Sequence, residues 1–199
     1  METGSFTFSA IMAGWLGMVE QAAFQVMVTV GTLGFLFYYS FGAAMSIRVA
    51  AFVGSGDWLR VRSAAQAGTH ILAVMASISS LVFLLFARPL ICCFTSDPLV
   101  LATSMMLIGP LLLYQFGDAM QICFANALRG TAHVKPMMWI AFVSYVLVGI
   151  PAGWLLGFPL GLGIRGVFLA FSVGLFTAAT LFYRRFRHVL RANLRRAAT

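Results

Sequence analysis

Long apolar stretches follow one another along the chain, separated by short polar or basic segments. A helix needs about 20 predominantly apolar residues to cross the roughly 30 Å hydrocarbon core of a membrane. Five stretches meet this requirement, and a sixth, which starts near the first residue, would rise only about 24 Å. The six lie near residues 3–18, 22–46, 63–87, 99–127, 137–157 and 162–183. They predict an all-α membrane protein with six transmembrane helices within residues 1–183.

The composition agrees with this pattern and narrows the choice of partners. Hydrophobic residues make up 61% of the chain and charged residues 9%, with a mean hydropathy of +0.96. Soluble domains carry far more charge. The net charge of +8 would suggest a nucleic-acid partner in a soluble protein. In a membrane protein, the excess of basic residues in cytoplasmic loops explains it. We therefore predict a lipid bilayer as the environment and no nucleic-acid partner.

The basic residues are distributed unevenly between the two sides that alternating helices define. Eleven of the 13 fall in the segments 47–62 and 128–136 and in the tail 184–199, whereas only Arg88 and Arg165 fall on the other side. Cytoplasmic loops of membrane proteins carry the excess of Lys and Arg. We predict a multi-pass protein of the cell (inner) membrane with both termini in the cytoplasm and a basic cytoplasmic tail over 184–199.

The sequence lacks the common signatures of enzymes and metal sites. It contains neither H-E-x-x-H nor G-x-S-x-G. The three cysteines, Cys92, Cys93 and Cys123, have no C-x-x-C spacing and no matching histidine cluster. We predict no enzymatic activity, no cofactor and no disulfide framework.

One helix face within the stretch 99–127 is polar. Asp118 is the only formally charged residue between Asp97 and Arg129. A carboxylate at membrane depth is unfavourable unless it is protonated, paired or hydrated. On a helical wheel, Asp118 shares an arc of about 140° with Tyr114, Gln115, Gln121, Ala125, Asn126 and Arg129. Two interpretations stay open, namely a functional carboxylate that faces a cavity, or a structural anchor with Gln115 and Gln121 bonded to neighbouring helices.

Glycine and proline interrupt several of the apolar stretches. Gly109-Pro110, Gly149-Ile150-Pro151 and Gly161-Leu162-Gly163 are the interruptions. Such breaks free backbone groups beside a cavity and permit bending in transporter helices, but they also occur as kinks without function. Both explanations stay open.

Four motifs occur in an order that resembles the multidrug and toxic compound extrusion (MATE) family. SIRVAAFVGSGD, residues 46–57, resembles its cytoplasmic loop, and YQFGDAMQ with ALRGT, residues 114–121 and 127–131, resembles its tenth helix and exit loop. VGIPAGWLLG and GIRGVFLAF resemble its eleventh and twelfth helices. The resemblance implies the six-helix C-terminal lobe of a twelve-helix antiporter of the NorM-like branch. The chain is then expected to be a fragment or a truncated reading frame that requires an N-terminal lobe.

The resemblance also implies roles for individual residues. Asp118 matches the acidic residue in the tenth helix that NorM-type members use for cation coupling, and Glu2 matches the glutamate in their seventh helix. Tyr114 matches an aromatic neighbour of that cation site. The coupling ion would be Na⁺ or H⁺, with Glu2 and Asp118 as the Na⁺ ligands. Without the resemblance, Glu2 would merely complement the dipole of a helix N-terminus.

The loop motifs match the family with some departures. The matching residues are Arg48, Gly54, Gly56, Asp57, Arg129 and Gly130. Ala50 stands where a glycine is usual, Tyr38 where a proline is common, and TAHVKP replaces a more polar turn. These departures concern the packing of loops more than the coupling residues.

The implied mechanism is alternating access, in which a cation from outside neutralises the carboxylates and a cationic amphipathic drug is exported. Gln115, Phe116, Met120 and Gln121 are assigned to the substrate path, although contact with lipid or core is the commoner explanation for Phe116 and Met120. Two alternatives stay open. One is a related polysaccharide or lipid flippase, and the other is a truncated remnant that does not transport.

Overall fold

The computed structural model describes residues 2–197 and the side chains of residues 4–196. Within this range the helices are joined by short turns and loops, and no strand forms. The helices are α1 (Glu2–Leu16), α2 (Met18–Gly54), α3 (Trp58–Leu85), α4 (Ala87–Cys92), α5 (Pro98–Met106), α6 (Ile108–Gly130), α7 (Lys135–Ala141), α8 (Ile150–Gly157) and α9 (Gly163–Ala197). A π-helical segment (Phe142–Gly149) joins α7 to α8. The all-α prediction is therefore confirmed.

The predicted spans correspond to helices with different ends. Four helical stretches within residues 2–197 are long and apolar enough to cross a membrane, and α5 with α6 adds a fifth if this bent pair is one span. Helix α1 has 15 residues and would rise only about 22 Å. The count of six spans stays a prediction for this reason.

The predicted span 99–127 is broken near its start. Helices α5 and α6 meet at Leu107 and are inclined to each other by 51°. Pro110 explains the position of the break, because it has no N–H to donate to the carbonyl of Met106, where α5 ends. The Gly109-Pro110 signal therefore marks a real bend.

A second proline coincides with a change of helix type. The π-helical segment ends at Gly149, and Pro151 occupies the first turn of α8. Pro151 cannot complete an α-helical bond to Leu147, and the wider π turn lies just before it. The stretch 137–157 is therefore continuous but irregular, and it begins at Lys135.

The predicted last span ends at residue 183 and the predicted tail begins at residue 184, but helix α9 continues across this boundary. It continues to Ala197, and Phe186, Val189 and Leu190 of the basic segment are buried. Burial of these apolar residues holds the helix against its neighbours beyond the apolar stretch. Most of the predicted tail, as far as Ala197, is thus a continuation of α9.

Helix α6 lies at the centre of the bundle and contacts α2, α3 and α9. Its buried residues face in nearly every direction, and Leu111, Ala119, Cys123 and Leu128 among them have no exposed surface. A helix that contacts neighbours on several sides presents its polar residues to other helices as well as to a cavity. The polar residues that were predicted to share one face of this helix therefore have different surroundings in the fold. Some contact other helices and others border a cavity.

Candidate functional site

Asp118 is completely buried and hydrogen-bonded to a neighbouring helix. The hydroxyl of Tyr38, on α2, donates to Asp118 Oδ2 over 2.6 Å. Both side chains have no exposed surface. Hydrogen bonds to a carboxylate are shorter and stronger than those between neutral groups. The bond therefore links the middle of α2 to the middle of α6.

A row of glycines on α2 allows this bond to form. Gly31, Gly34 and Gly42 are buried on the face of α2 that also carries Tyr38. A Cβ atom at Gly42 would lie 2.8 Å from Ile122 Cγ2, and one at Gly31 would lie 3.2 Å from Leu111 Cδ1. Small residues let two membrane helices approach closely. Tyr38 is the large side chain in this row, and it extends across the narrow interface to Asp118.

Gln115 joins the same interface to α3. Its side-chain Nε2 donates to Ser79 Oγ over 3.3 Å, and both residues are buried. A Cβ atom at Gly34 would collide with Gln115 Nε2 and with Ser79 Oγ. Gly34 therefore provides the space for a polar contact among α2, α3 and α6.

We expect Gly34→Ala to destabilise the protein by about 1–3 kcal/mol, because the added methyl group must displace the Gln115 amide from its partner. Thermal unfolding in detergent measures the loss. Gly54→Ala is the matched control on the same helix, because a Cβ atom there meets nothing within 4 Å. Equal stability of the two variants would contradict the close approach described here.

An open cleft lies beside the Tyr38–Asp118 pair. Its volume is about 510 Å³, and α1, α2 and α6 line it. Four aromatic side chains, a short run of polar groups and one basic group form the walls, namely Phe6, Phe35, Tyr39, Tyr114, Thr32, Gln121, Asn126 and Arg129. Tyr39 follows Tyr38 in sequence, and Tyr114 and Gln121 lie about one turn on either side of Asp118. The buried pair therefore lies on the same segments of α2 and α6 that contribute residues to the wall of the cleft.

An aromatic cluster supports the same wall from α9. Phe171 stacks on Phe6 with ring centroids 4.6 Å apart and on Phe24 with centroids 5.8 Å apart. Tyr114 meets Phe168 edge to face at 6.0 Å and Phe171 at 6.4 Å. Aromatic pairs of this geometry add stability beyond the area they bury. The cluster fixes the ring of Tyr114 where it borders the cleft.

Comparison with known proteins identifies the family. A family model described as MatE matches residues 1–155, which is more than half of the chain. The chain belongs to the MatE family. MatE proteins are transporters and not enzymes, so the prediction that the chain is not an enzyme is confirmed. The resemblance drawn from the sequence motifs is likewise confirmed.

The similar MatE proteins are about twice as long as this chain. A probable multidrug resistance protein NorM of Xanthomonas campestris pv. campestris is 36% identical over 191 residues, which are 96% of this chain and 42% of that protein. The multidrug resistance protein MdtK of Pectobacterium atrosepticum is 30% identical over 194 residues, with the same coverage of 96% and 42%. The chain thus spans less than half the length of these relatives.

A solved MatE structure shares the fold. The crystal structure of the eukaryotic MATE transporter AtDTX14 superposes with a TM-score of 0.84 at 24% identity. The match covers 96% of this chain and 44% of that one. The arrangement of helices described above is therefore a MatE arrangement, and several apolar helices in such a transporter indicate a multi-pass membrane protein.

The structure separates the residues that were predicted for the substrate path. Gln121 lines the cleft, whereas Gln115 is buried against Ser79. Phe116 is 37% exposed, and Met120 packs against the core, and neither borders the cleft. All four assignments stay predictions.

The three residues assigned to cation coupling are placed differently. Asp118 is buried, and Tyr114 is in the wall of the cleft. The side chain of Glu2 lies outside the described residues. Within residues 4–196, no group of three or more His, Cys, Asp or Glu side chains converges as a metal site. Hard cations prefer oxygen ligands, and the carboxylate of Asp118, to which Tyr38 donates, offers them here.

The first loop motif that matches the family, residues 46–57, covers the end of α2 and the turn between α2 and α3. Gly56 has a φ of 74°, which a residue with a side chain rarely adopts, and Asp57 then accepts a hydrogen bond from the backbone N–H of Arg60 over 3.0 Å. Arg60 Nε also lies 3.0 Å from Asp57 Oδ2. Gly54 and Arg48 are exposed nearby. The motif therefore has a structural explanation as a helix cap.

The second MatE loop motif brings α6 against α2. A Cβ atom at Gly130 would lie 2.7 Å from the backbone oxygen of Ser46, so no larger residue fits there without a shift. Arg129 is exposed and lines one end of the cleft. Gly130 thus fixes the helix interface, while Arg129 contributes charge to the cleft.

Tyr38 is the residue of the site that sequence analysis missed. In the sequence it stands only as a departure where a proline is common, and its partner lies 80 positions away. The signal that could have found it is the spacing of Gly31, Gly34 and Gly42, which places Tyr38 on a small-residue face where a large polar side chain is unusual.

Proposed function

We propose that the chain forms one lobe of a cation-coupled multidrug efflux antiporter that works by alternating access. The observation that carries this proposal is the buried Asp118–Tyr38 pair on the two helix segments that also line an open, aromatic cleft. The names of the relatives as multidrug resistance proteins support the choice of cargo. The other lobe of such a carrier would close the cleft from the opposite side.

The coupling step follows from the burial of Asp118. A charged carboxylate in a low-dielectric interior is unfavourable, so binding of Na⁺ or H⁺ stabilises the buried arrangement. The cation also competes with the hydroxyl of Tyr38 for the same oxygen atoms. Because a ligand shifts an equilibrium only through different affinities for the two states, this competition supplies the required difference between inward-facing and outward-facing arrangements.

The change between inward-facing and outward-facing arrangements would alter the packing of α2 against α6. Tyr38 and Asp118 are in the middle of these two helices. Tyr39, the next residue after Tyr38, and Gln121, about one turn after Asp118, line the cleft. A change in the bond between the helices therefore changes the wall that contacts the drug. The bend between α5 and α6 lies on the same helix, and it offers a point about which α6 can tilt.

The cleft suits a cationic amphipathic cargo. Aromatic faces attract organic cations, and Phe6, Phe35, Tyr39 and Tyr114 supply such faces. Arg129 is the one basic residue among the described cleft-lining residues. A polysaccharide or lipid flippase would need several basic groups for its anionic cargo, and the composition of the cleft thus favours drug efflux.

A test of the proposal joins the chain to the N-terminal lobe of a NorM relative and measures extrusion of a fluorescent organic cation from cells. We expect efflux that depends on an imposed Na⁺ or H⁺ gradient, and no efflux by the 199-residue chain alone, because half of the cavity wall is then absent. Ion-dependent extrusion by the chain alone would contradict the one-lobe proposal. Absence of extrusion by the joined protein would favour a remnant that does not transport.

The proposed orientation places both termini in the cytoplasm of a cell with an inner membrane. Cysteine labelling by an impermeant reagent tests it in a background with Cys92→Ser and Cys93→Ser, since both native thiols are exposed. We expect Ser55→Cys to react from the cytoplasmic side and Leu160→Cys from the outside. The reverse pattern would overturn the topology.

A further inference from the structure

A second cleft opens between α3, α6 and α9, at the end of the bundle where α3 begins and α9 ends. Its volume is about 290 Å³. Arg62 of α3 and Arg187 and Arg191 of α9 surround it. Ala65, Phe186 and Leu190 are buried beneath them and form an apolar floor. We call this region the basic cleft. It is separate from the aromatic cleft beside Asp118.

The charge of the basic cleft is not compensated by the protein. Among the described side chains, no carboxylate lies within 4 Å of Arg62, Arg187 or Arg191, and all three are exposed. Asp57, which belongs to the same end of the bundle, is already paired with Arg60. Three guanidinium groups around one cleft with no carboxylate partner favour an anion, and the planar fork of Arg matches phosphate oxygens well.

The position of the basic cleft along α9 indicates the depth at which that anion would lie. From Gly163 to Tyr183 the only charged residue is Arg165, whereas six arginines follow from Arg184 onward. Helix α9 therefore leaves the hydrocarbon core close to Tyr183. Aromatic side chains with a polar end are common at this boundary. The arginines of the basic cleft consequently lie at the level of lipid headgroups.

The ring of Tyr183 connects the charged and apolar parts of the basic cleft. Its centroid lies 5.0 Å from that of the Phe124 ring of α6, and the guanidinium of Arg187 lies 5.9 Å from the same Tyr183 centroid. A molecule bound here would place an anionic group on the arginines and apolar carbon atoms on Phe124 and the floor. A phospholipid has this combination, whereas a free anion would leave the apolar surface unused.

The excess of positive charge at cytoplasmic helix ends does not by itself explain the basic cleft. That excess requires basic residues near the membrane surface but not their convergence from two helices around one cavity. The groove between α2 and α3 shows the difference. It contains Arg48 and Arg60, but Arg60 is bound to Asp57 and lies over the ring of Phe52.

We propose that the basic cleft binds one anionic phospholipid, with the phosphate among Arg62, Arg187 and Arg191 and the proximal acyl carbons against Phe124 and the apolar floor. The site does not depend on transport, and it would be present whether or not Asp118 couples to a cation. It would tie the ends of α3 and α9 together through a lipid, because the two helices contribute arginines to the same phosphate.

Native mass spectrometry of the full 199-residue chain in detergent tests the proposal by titration with phosphatidylglycerol and phosphatidylcholine. We expect one phosphatidylglycerol molecule to bind tightly to each chain, and we expect no phosphatidylcholine to bind with similar affinity. The double variant Arg187→Gln/Arg191→Gln should bind phosphatidylglycerol about 30-fold more weakly, since each basic residue at the surface contributes roughly a factor of five to ten. Arg62→Gln, on a different helix, should weaken it several-fold.

The control variant Arg184→Gln/Arg195→Gln removes the same charge from the same helix outside the basic cleft, and its affinity should stay within about twofold of the original. Equal weakening in both double variants would overturn the site in favour of general charge attraction. Equal binding of phosphatidylcholine, or displacement of the lipid by millimolar inorganic phosphate, would also overturn it. Far-UV circular dichroism verifies that each exposed-residue variant retains its helices.

Discussion

Asp118→Asn, in the chain joined to an N-terminal lobe, is expected to abolish ion-driven drug efflux while the amount of protein in the membrane stays the same. Asparagine keeps the size of the side chain, and its carbonyl oxygen still accepts the hydrogen bond from Tyr38. It removes the charge that a cation can neutralise, and with it the difference between the two arrangements. Gradient-driven extrusion of a fluorescent cation, corrected for protein level, measures the effect.

The control for this prediction is a carboxylate at a helix end. Glu20 lies in the first turn of α2 and is only partly buried, so Glu20→Gln should leave efflux nearly unchanged. Glu2→Gln should resemble Asp118→Asn if both carboxylates share one ion, and it should be nearly silent if Glu2 only complements a helix dipole. Efflux that survives Asp118→Asn would show that Asp118 is a structural anchor.

Tyr38→Phe is expected to lower the cation concentration for half-maximal efflux by about tenfold or more. The variant keeps the buried ring but removes the hydroxyl that donates to Asp118 Oδ2 over 2.6 Å. A hydrogen bond to a charged group contributes about 1.5–3 kcal/mol. Without it the carboxylate binds a cation more tightly and releases it more slowly, so the maximal rate should fall as well. The dependence of efflux rate on ion concentration separates the two effects.

Tyr39→Phe is the matched control for Tyr38→Phe. Tyr39 is the next residue, is 43% exposed, and stacks on Phe35 with centroids 4.9 Å apart. Loss of its hydroxyl should leave the cation dependence unchanged, even if the affinity for a drug changes. An unaltered cation dependence in Tyr38→Phe, with only a lower unfolding temperature, would limit Tyr38 to a role in packing.

The sequence was informative about the fold wherever a single residue acts on its own helix. Pro110 marks the bend between α5 and α6, and Pro151 marks the change after the π-helical segment, because a missing N–H acts locally. The end of α9 could not be predicted from its apolar stretch. The helix is extended by burial of Phe186, Val189 and Leu190, which depends on tertiary packing.

The site was predictable only in part, for a related reason. A carboxylate in an apolar stretch is conspicuous in sequence, and Asp118 was singled out on that basis. Periodicity placed Gln115 and Gln121 on one face with it, but could not show that Gln115 packs against Ser79 while Gln121 borders a cleft. The spacing of the glycines on α2 indicates that Tyr38 faces another helix, but it does not specify which residue of α6 lies opposite.

Helix α9 connects two distant parts of the bundle. It has 35 residues without a break, which corresponds to a rod of about 52 Å. Phe171 supports the aromatic cluster near one end, and Arg191 borders the basic cleft about 30 Å further along. A tilt of about 10° would move one relative to the other by about 5 Å over that length. The aromatic cluster and the basic cleft are therefore connected through one continuous helix.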